Sequence, residues 1–161
     1  MPLPTKMSKL VWDSPLGKLL IEGNENFVQK ILFDQNAQTD AVFAPVLEYA
    51  RQELADYFAQ KRQSFSFPFQ AQGTDFQQVV WKYLQKIPFG KTISYQELAA
   101  DLGNPLLVRA AASANGKNPL SIVIPCHRVI GSNGKLVGYA GGLWRKQFLL
   151  DLEKTPTHLF S

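Results

Sequence analysis

Cysteine is almost missing from this 161-residue chain: Cys126 stands alone, with two histidines and two methionines. A single thiol excludes an internal disulfide and fits a reducing compartment, so a cytoplasmic protein is expected. One cysteine and two histidines cannot supply a Cys/His zinc set, and no metal is expected. No apolar run approaches the roughly 20 residues needed to span a bilayer. The opening residues Met1-Pro2-Leu3-Pro4-Thr5-Lys6 lack an apolar h-region, which argues against a secretory signal. Low-complexity tracts are also lacking, and a chain 45% hydrophobic and 19% charged has the balance of a soluble globular protein. The length suits one ordinary domain or two small ones.

Acidic residues are scarce in the rear of the chain. Up to Gly73 there are seven Lys/Arg against eight Asp/Glu, whereas beyond it there are ten against five. A basic half suits a polyanionic partner, with nucleic acid the first candidate and a lysine-rich solvated surface the plain alternative.

The front part reads as a small sheet with one helix. Leu10–Asp13, Lys18–Glu22 and Phe27–Phe33 are strand-like and separated by turn-forming Ser14–Gly17 and Gly23–Asn26, which predicts a meander. Leu47, Ala50, Leu54, Tyr57 and Phe58 recur at helical spacing within Ala44–Gln60. Ser64–Phe69 alternates through Phe65, Phe67 and Phe69 and predicts a further strand, at an edge because of Pro68. No residue here has an evident chemical role. Gln70–Gly73 reads as the hinge, dividing the chain into 1–73 and 74–161.

The rear part reads as mostly helical. Thr74 or Asp75 can cap a helix through Ile87, buried through Phe76, Val79, Val80, Tyr83, Leu84 and Ile87. Ser94 and Glu97 form a capping-box pattern that opens a short helix through Leu102. After Gly103-Asn104-Pro105 a third helix runs over about Leu106–Asn115, completing a helix-turn-helix. Its side chains are unusually small, with Arg109 its one charge, so it can approach a nucleic acid groove closely. Gly131–Lys135 reads as a hairpin-type turn and Gly138–Gly142 as a backbone-exposing loop. Leu143–Lys154 closes the chain as a helix, with Leu143, Phe148, Leu149 and Leu152 on its apolar side.

The most informative stretch is Ile122–Ile130, in which Cys126 and His127 follow an apolar run stopped by Pro125. Proline has no N–H and suits a strand end, so the run predicts a stiff support presenting a thiol, an imidazole and the Arg128 guanidinium. Ile124-Pro125-Cys126-His127-Arg128-Val129 is preceded by Gly116–Pro119 and followed by Gly138–Gly142. Upstream stand Pro88–Tyr95 and Arg109-Ala110. In register over about Thr74–Glu153, these segments resemble the O6-alkylguanine-DNA alkyltransferase family. The resemblance implies an α+β protein, with a small N-terminal antiparallel-type, ribonuclease-H-like sheet domain. It implies a C-terminal helical domain with a winged helix-turn-helix.

It also implies a chemistry: stoichiometric transfer of the alkyl group from O6-methylguanine in double-stranded DNA to Cys126, by a monomer without cofactor. The sulfur must react as thiolate, since a free thiol near pKa ~8.5 is mostly protonated at neutral pH. By resemblance, His127 takes the thiol proton through water, Glu153 orients the imidazole, and Asn118 holds the active-site loop. The Tyr95 hydroxyl faces a guanine ring nitrogen. The carbonyls of Cys126 and Val129 receive the exocyclic amine, and the Ala140 amide, next to Tyr139, faces the guanine oxygen. Arg109 replaces the flipped nucleotide in the stack, and Ala110, Ala111, Ser113 and Arg128 complete the DNA contacts. His158, in the tail, is expected to be inert. Two other readings stay open. A binding-only relative would lack the cysteine, and a Cys/His thiol hydrolase would turn over repeatedly.

Overall fold

The computed structural model describes residues 6–40 and 44–154, and the expected tail residue His158 lies outside them. The chain divides into two compact units, 1–72 and 73–161. Among the described residues no helix is long and apolar enough to cross a membrane.

In the first unit the meander forms as read: β1 (Ser8–Ser14), β2 (Gly17–Gly23) and β3 (Val28–Phe33) pair antiparallel in the order β1-β2-β3. The β1–β2 turn is closed by Ser14, whose hydroxyl donates to the Gly17 carbonyl at 2.6 Å and accepts from Leu16 N at 3.1 Å. Helix α1 (Pro45–Phe58) packs Leu47, Ala50, Leu54 and Tyr57 into a core shared with Leu19, Ile21 and Ile31. The β2–β3 register shifts at Glu22/Gly23, and a Cβ on Gly23 would lie 2.2 Å from the Phe27 carbonyl oxygen. Gly23→Ala is therefore expected to lower the stability of this unit by about 1–3 kcal/mol, the usual range for overpacking. A urea midpoint that does not move would contradict this.

The strand expected at Ser64–Phe69 does not form; a single parallel bridge joins Phe69 to Val28. The reason is where its N–H groups go. Ser66 and Phe67 give theirs to the buried Glu53 carboxylate at 2.7 and 3.0 Å, and Pro68 has none to give. Three successive residues thus have no N–H to offer a ladder, though the Pro68 carbonyl accepts from Val28 N at 3.0 Å. The phenylalanines still gather, with Phe67 6.0 Å from Phe65 and 5.9 Å from Phe69 between ring centroids.

In the second unit α2 (Asp75–Leu84) starts at a capping box in which Thr74 accepts from Gln77 N. It ends earlier than Ile87, and its buried residues are Val80, Trp81 and Leu84, whereas Val79 is exposed. Trp81 is buried because its indole N–H donates to the Ala114 carbonyl at 2.8 Å, tying α2 to the third helix. The Ser94/Glu97 capping box opens α3 (Tyr95–Asp101). A 3₁₀ turn, Pro105–Leu107, capped by Asn104, leads into α4 (Val108–Gly116), completing the helix-turn-helix. The two-residue strand β4 (Ile93–Ser94) pairs parallel with β5 (Val129–Ile130).

Gly131–Lys135 closes on itself through Gly131 N to Lys135 O at 2.8 Å. No strand follows it among the described residues, so the wing is a turn and coil, not a hairpin. Helix α5 is Leu143–Lys154. Its buried stripe is Lys146, Leu149, Leu150 and Glu153, while Leu143 and Phe148 are exposed. The helix is turned about its axis from the expected setting because two charged groups have partners inside.

Candidate active site

The apolar run ahead of Cys126 is a chain of turns, not a strand. Ile122 sits at φ +75°, a genuine outlier for a β-branched residue that costs on the order of 1–3 kcal/mol. Asn118 holds the loop in this shape. Its Nδ2 donates to the Ile124 carbonyl at 2.6 Å and its Oδ1 accepts from Leu120 N at 2.9 Å. Pro125 then opens a 3₁₀ turn, Cys126–Arg128, whose three side chains are all buried.

His127 and Arg128 converge on one carboxylate. His127 Nε2 lies 2.7 Å from Glu153 Oε2. Arg128 grips the same group with Nε and Nη2 at 2.8 and 3.0 Å, and its Nη1 donates to the Ile87 carbonyl at 2.7 Å. Gly90 N adds a fourth donor at 3.3 Å. Gly90 itself is at φ +79°, and a Cβ there would meet the Glu153 carbonyl oxygen at 3.1 Å. Burial alone would raise the Glu153 pKa, but the bonds and charges of His127 and Arg128 outweigh it. The carboxyl is held well below its usual range. Burial lowers the His127 pKa against the opposing pull of Glu153. A neutral imidazole that donates from Nε2 leaves Nδ1 as its lone-pair nitrogen, and that atom is buried without a partner among the described residues. Burial likewise pushes the Cys126 thiol up, opposed by Asn118 and by the Lys146 ammonium. Burial thus disfavours both the thiolate and the imidazolium, and the carboxylate on Nε2 fixes the imidazole tautomer.

A cavity of about 450 Å³ opens beside this turn, with Tyr95, Arg109, Asn115, Val137, Gly138 and Tyr139 on its wall. Cys126, Val129 and Ala140 do not line it. The half-buried Tyr95 donates its hydroxyl to the Val137 carbonyl at 2.9 Å. Its pKa is raised by burial and by the charge of Cys126, and the Asn115 amide acts against that rise. Burial also keeps the Tyr139 phenol well above its ordinary range. Ala140 stands exposed in the turn that Gly142 N closes on the Tyr139 carbonyl at 2.9 Å.

Two residues expected at DNA face inward. Ala111 is fully buried on the core side of α4, and Arg128 is 6% exposed because its guanidinium is consumed by Glu153 and Ile87. Arg109, Ala110 and Ser113 lie on the exposed face of α4.

Residues 75–155 match the 6-O-methylguanine DNA methyltransferase, DNA binding domain, and residues 7–71 match the ribonuclease-like domain of the same family. The chain belongs to the 6-O-methylguanine DNA methyltransferase family. It is 44% identical over 148 residues to a methylated-DNA–protein-cysteine methyltransferase of Methanosarcina barkeri, covering 88% of this chain and 94% of the relative. A constitutive methylated-DNA–protein-cysteine methyltransferase of Bacillus subtilis is 41% identical over 152 residues, 88% of this chain and 92% of that one. The crystal structure of Mycobacterium tuberculosis OGT in complex with DNA is similar at a TM-score of 0.81 and 42% identity. That match covers 92% of this chain and 95% of the solved one.

Within this methyltransferase fold, Lys146 and Asn115 are buried polar residues near Cys126 that the sequence reading does not include. Lys146 is fully buried, and its Nζ donates to the carbonyls of Val129, Val137 and Gly138 at 2.7, 3.0 and 3.2 Å. Burial brings its pKa down to about 8, against a raising effect from Cys126. The signal was available: 146, 149, 150 and 153 are spaced i, i+3, i+4, i+7, a stripe of two leucines bracketed by a lysine and a glutamate. Asn115 is the other. It shares the buried side of α4 with Ala111 and Ala114, and a polar residue at such a position is informative when a partner is present.

Proposed function

We propose that this chain is a DNA repair alkyltransferase that moves the alkyl group of O6-methylguanine, in double-stranded DNA, irreversibly onto its own Cys126. It works as a cytoplasmic monomer and needs no cofactor. The observation that carries the reading is the arrangement of Cys126 beside a His127 whose Nε2 is committed to Glu153 and whose Nδ1 is free. No other thiol in the chain could serve.

The DNA-facing surface is the exposed side of α4. Arg109, Ala110 and Ser113 combine one guanidinium with side chains small enough to let the helix lie close to a groove. The damaged base leaves the stack and enters the cavity beside Tyr95, while Arg109 fills the gap. The thiol proton passes by way of water to His127 Nδ1. The sulfur attacks the alkyl carbon, the S–C bond forms as the C–O6 bond breaks, and the electron pair leaves with guanine. Tyr95 offers its hydroxyl proton to the departing base, which leaves neutral. When that hydroxyl turns from Val137, the carbonyl keeps its bond from Lys146 at 3.0 Å, so nothing buried is orphaned. The thioether has no return path, and each protein acts once.

The direct test mixes the metal-free protein with duplex DNA labelled in the O6-methyl group. One equivalent of label per protein, and no more, is the expected result; sustained turnover would favour a thiol hydrolase instead. Arg109→Ala separates stacking from chemistry. Since flipping a base costs a few kcal/mol, single-turnover transfer from duplex DNA should slow by roughly 10- to 100-fold, with a smaller loss on free O6-alkylguanine. Equal losses on both would remove Arg109 from the flipping step.

A further inference from the structure

Leu106 is 89% exposed, the most exposed large hydrophobic side chain among the described residues. It nevertheless stands on a fixed support. Pro105 begins the 3₁₀ turn with its ring-locked φ. Asn104 caps the turn, its Oδ1 accepting from Leu106 N at 2.9 Å and its carbonyl from Leu107 N at 3.0 Å. Leu107 and Val108, both half-buried, anchor it from below, so the turn is set without the Leu106 side chain. An apolar group held out in this way can be covered by a partner with little ordering left to do.

Its register says which partner. Residues 106, 109, 110 and 113 follow the i, i+3, i+4, i+7 spacing of one helical face, and all four are exposed. Ala110 and Ser113 are short, so Leu106 and Arg109 are the two side chains that stand out from this face. The cavity opens on the other flank of Arg109, along Val108, Ala112 and Gly116, and Leu106 is not on its wall. Arg109 therefore lies between the space for the base and Leu106. Three residues of rise set Leu106 about 5 Å from Arg109 along the axis, between one and two base steps of ~3.4 Å. Deoxyribose gives a groove an apolar wall, and leucine is among the side chains that wedge against a distorted step. We propose that Leu106 is a DNA-binding residue, an apolar wedge that packs against the sugars and base edges beside the step where Arg109 enters. It steadies the duplex on that side while the nucleotide is out. The inference rests on the reading of α4 as the DNA-facing helix.

The test is a binding titration with undamaged duplex DNA, run beside single-turnover transfer from an O6-methylguanine duplex and from free O6-alkylguanine. In Leu106→Ala the duplex Kd should rise by roughly tenfold, as for losing much of a buried leucine side chain. Leu106→Asn, similar in size but polar, should lose as much, and the two variants keep the result readable should one fold poorly. The slope of log K against log salt concentration should stay at the wild-type value, because no phosphate contact is lost. Transfer from subsaturating duplex should slow in step with binding, while transfer from the free base is unchanged. Val79→Ala truncates an exposed side chain on α2 and should leave the Kd where it was. An unchanged Kd in the Leu106 variants, an altered salt slope, or an equal loss in Val79→Ala would overturn the inference. If Arg109→Ala slows duplex transfer while the Leu106 variants bind normally, this inference alone falls. If neither position matters, the reading of α4 as the DNA face falls with it.

Discussion

Cys126→Ala is expected to abolish uptake of label from O6-methyl-labelled DNA, of which the wild-type chain is expected to take up one equivalent. The size of the effect follows from the chemistry: displacement at carbon needs a thiolate, and no neighbouring group can replace it. In the proposed mechanism His127 and Glu153, 2.7 Å apart, supply a base and its orientation, not a second nucleophile. The thiol is held up by burial at rest, so its proton must leave as the base arrives, and Ala removes the only atom that can accept the carbon. Binding to duplex DNA should survive, because α4 presents Arg109, Ala110 and Ser113 on a face that does not include the thiol. Two measurements check this: intact-mass spectrometry for the added alkyl group and a binding titration with the same oligonucleotide. Disappearance of the lesion with Cys126 unmodified would end the proposal.

Glu153→Gln is expected to cost about 3–5 kcal/mol of folding stability, the range for breaking a buried ion pair and stranding one partner. Glu153 answers His127, two nitrogens of Arg128 and the Gly90 amide together. Its loss leaves the Arg128 guanidinium buried without a counter-charge, held by the Ile87 carbonyl and a neutral amide oxygen. Transfer should slow as well, since the imidazole loses the partner that fixes its tautomer. The pH dependence has a definite sign. The folded carboxyl titrates well below its ordinary value of 4.5, so its stabilisation is complete above that pH and is lost as pH falls toward the folded value. Urea midpoints between pH 7 and pH 3 should therefore fall in the wild type and flatten in Glu153→Gln. A variant within about 1 kcal/mol of wild type, with the same acid limb, would show the cluster to be energetically idle.

The elements that could be read from the chain are those governed by neighbours in sequence. The meander was legible because turn residues separate its short strands. The start of α3 was legible because Ser94 and Glu97 satisfy each other within one turn. The helix-turn-helix was legible in the same way, whereas the run before Cys126 reads as a strand end and is a chain of turns. The misses share a different character. Ser64–Phe69 alternates like a strand, but its N–H groups go to Glu53, which no local pattern announces. Arg128 reads as a DNA contact until Glu153, 25 residues away, is found to hold it. Leu143 and Phe148 read as core, yet Lys146 and Glu153 take the buried side because carbonyls, histidine and arginine await them there.

By itself, then, the amino-acid order determined the two-part division of composition, most of the local elements, and the one thiol of the chain. Tertiary structure decided which polar groups are buried and with whom: Glu153 under His127 and Arg128, Lys146 among three carbonyls, Asn115 between the cavity and the Cys126 backbone. The physical reason is desolvation. Hydrophobic periodicity reports which face of an element prefers to leave water, but a charged or amide side chain is buried only when partners from distant segments meet it. Those partners exist only after folding.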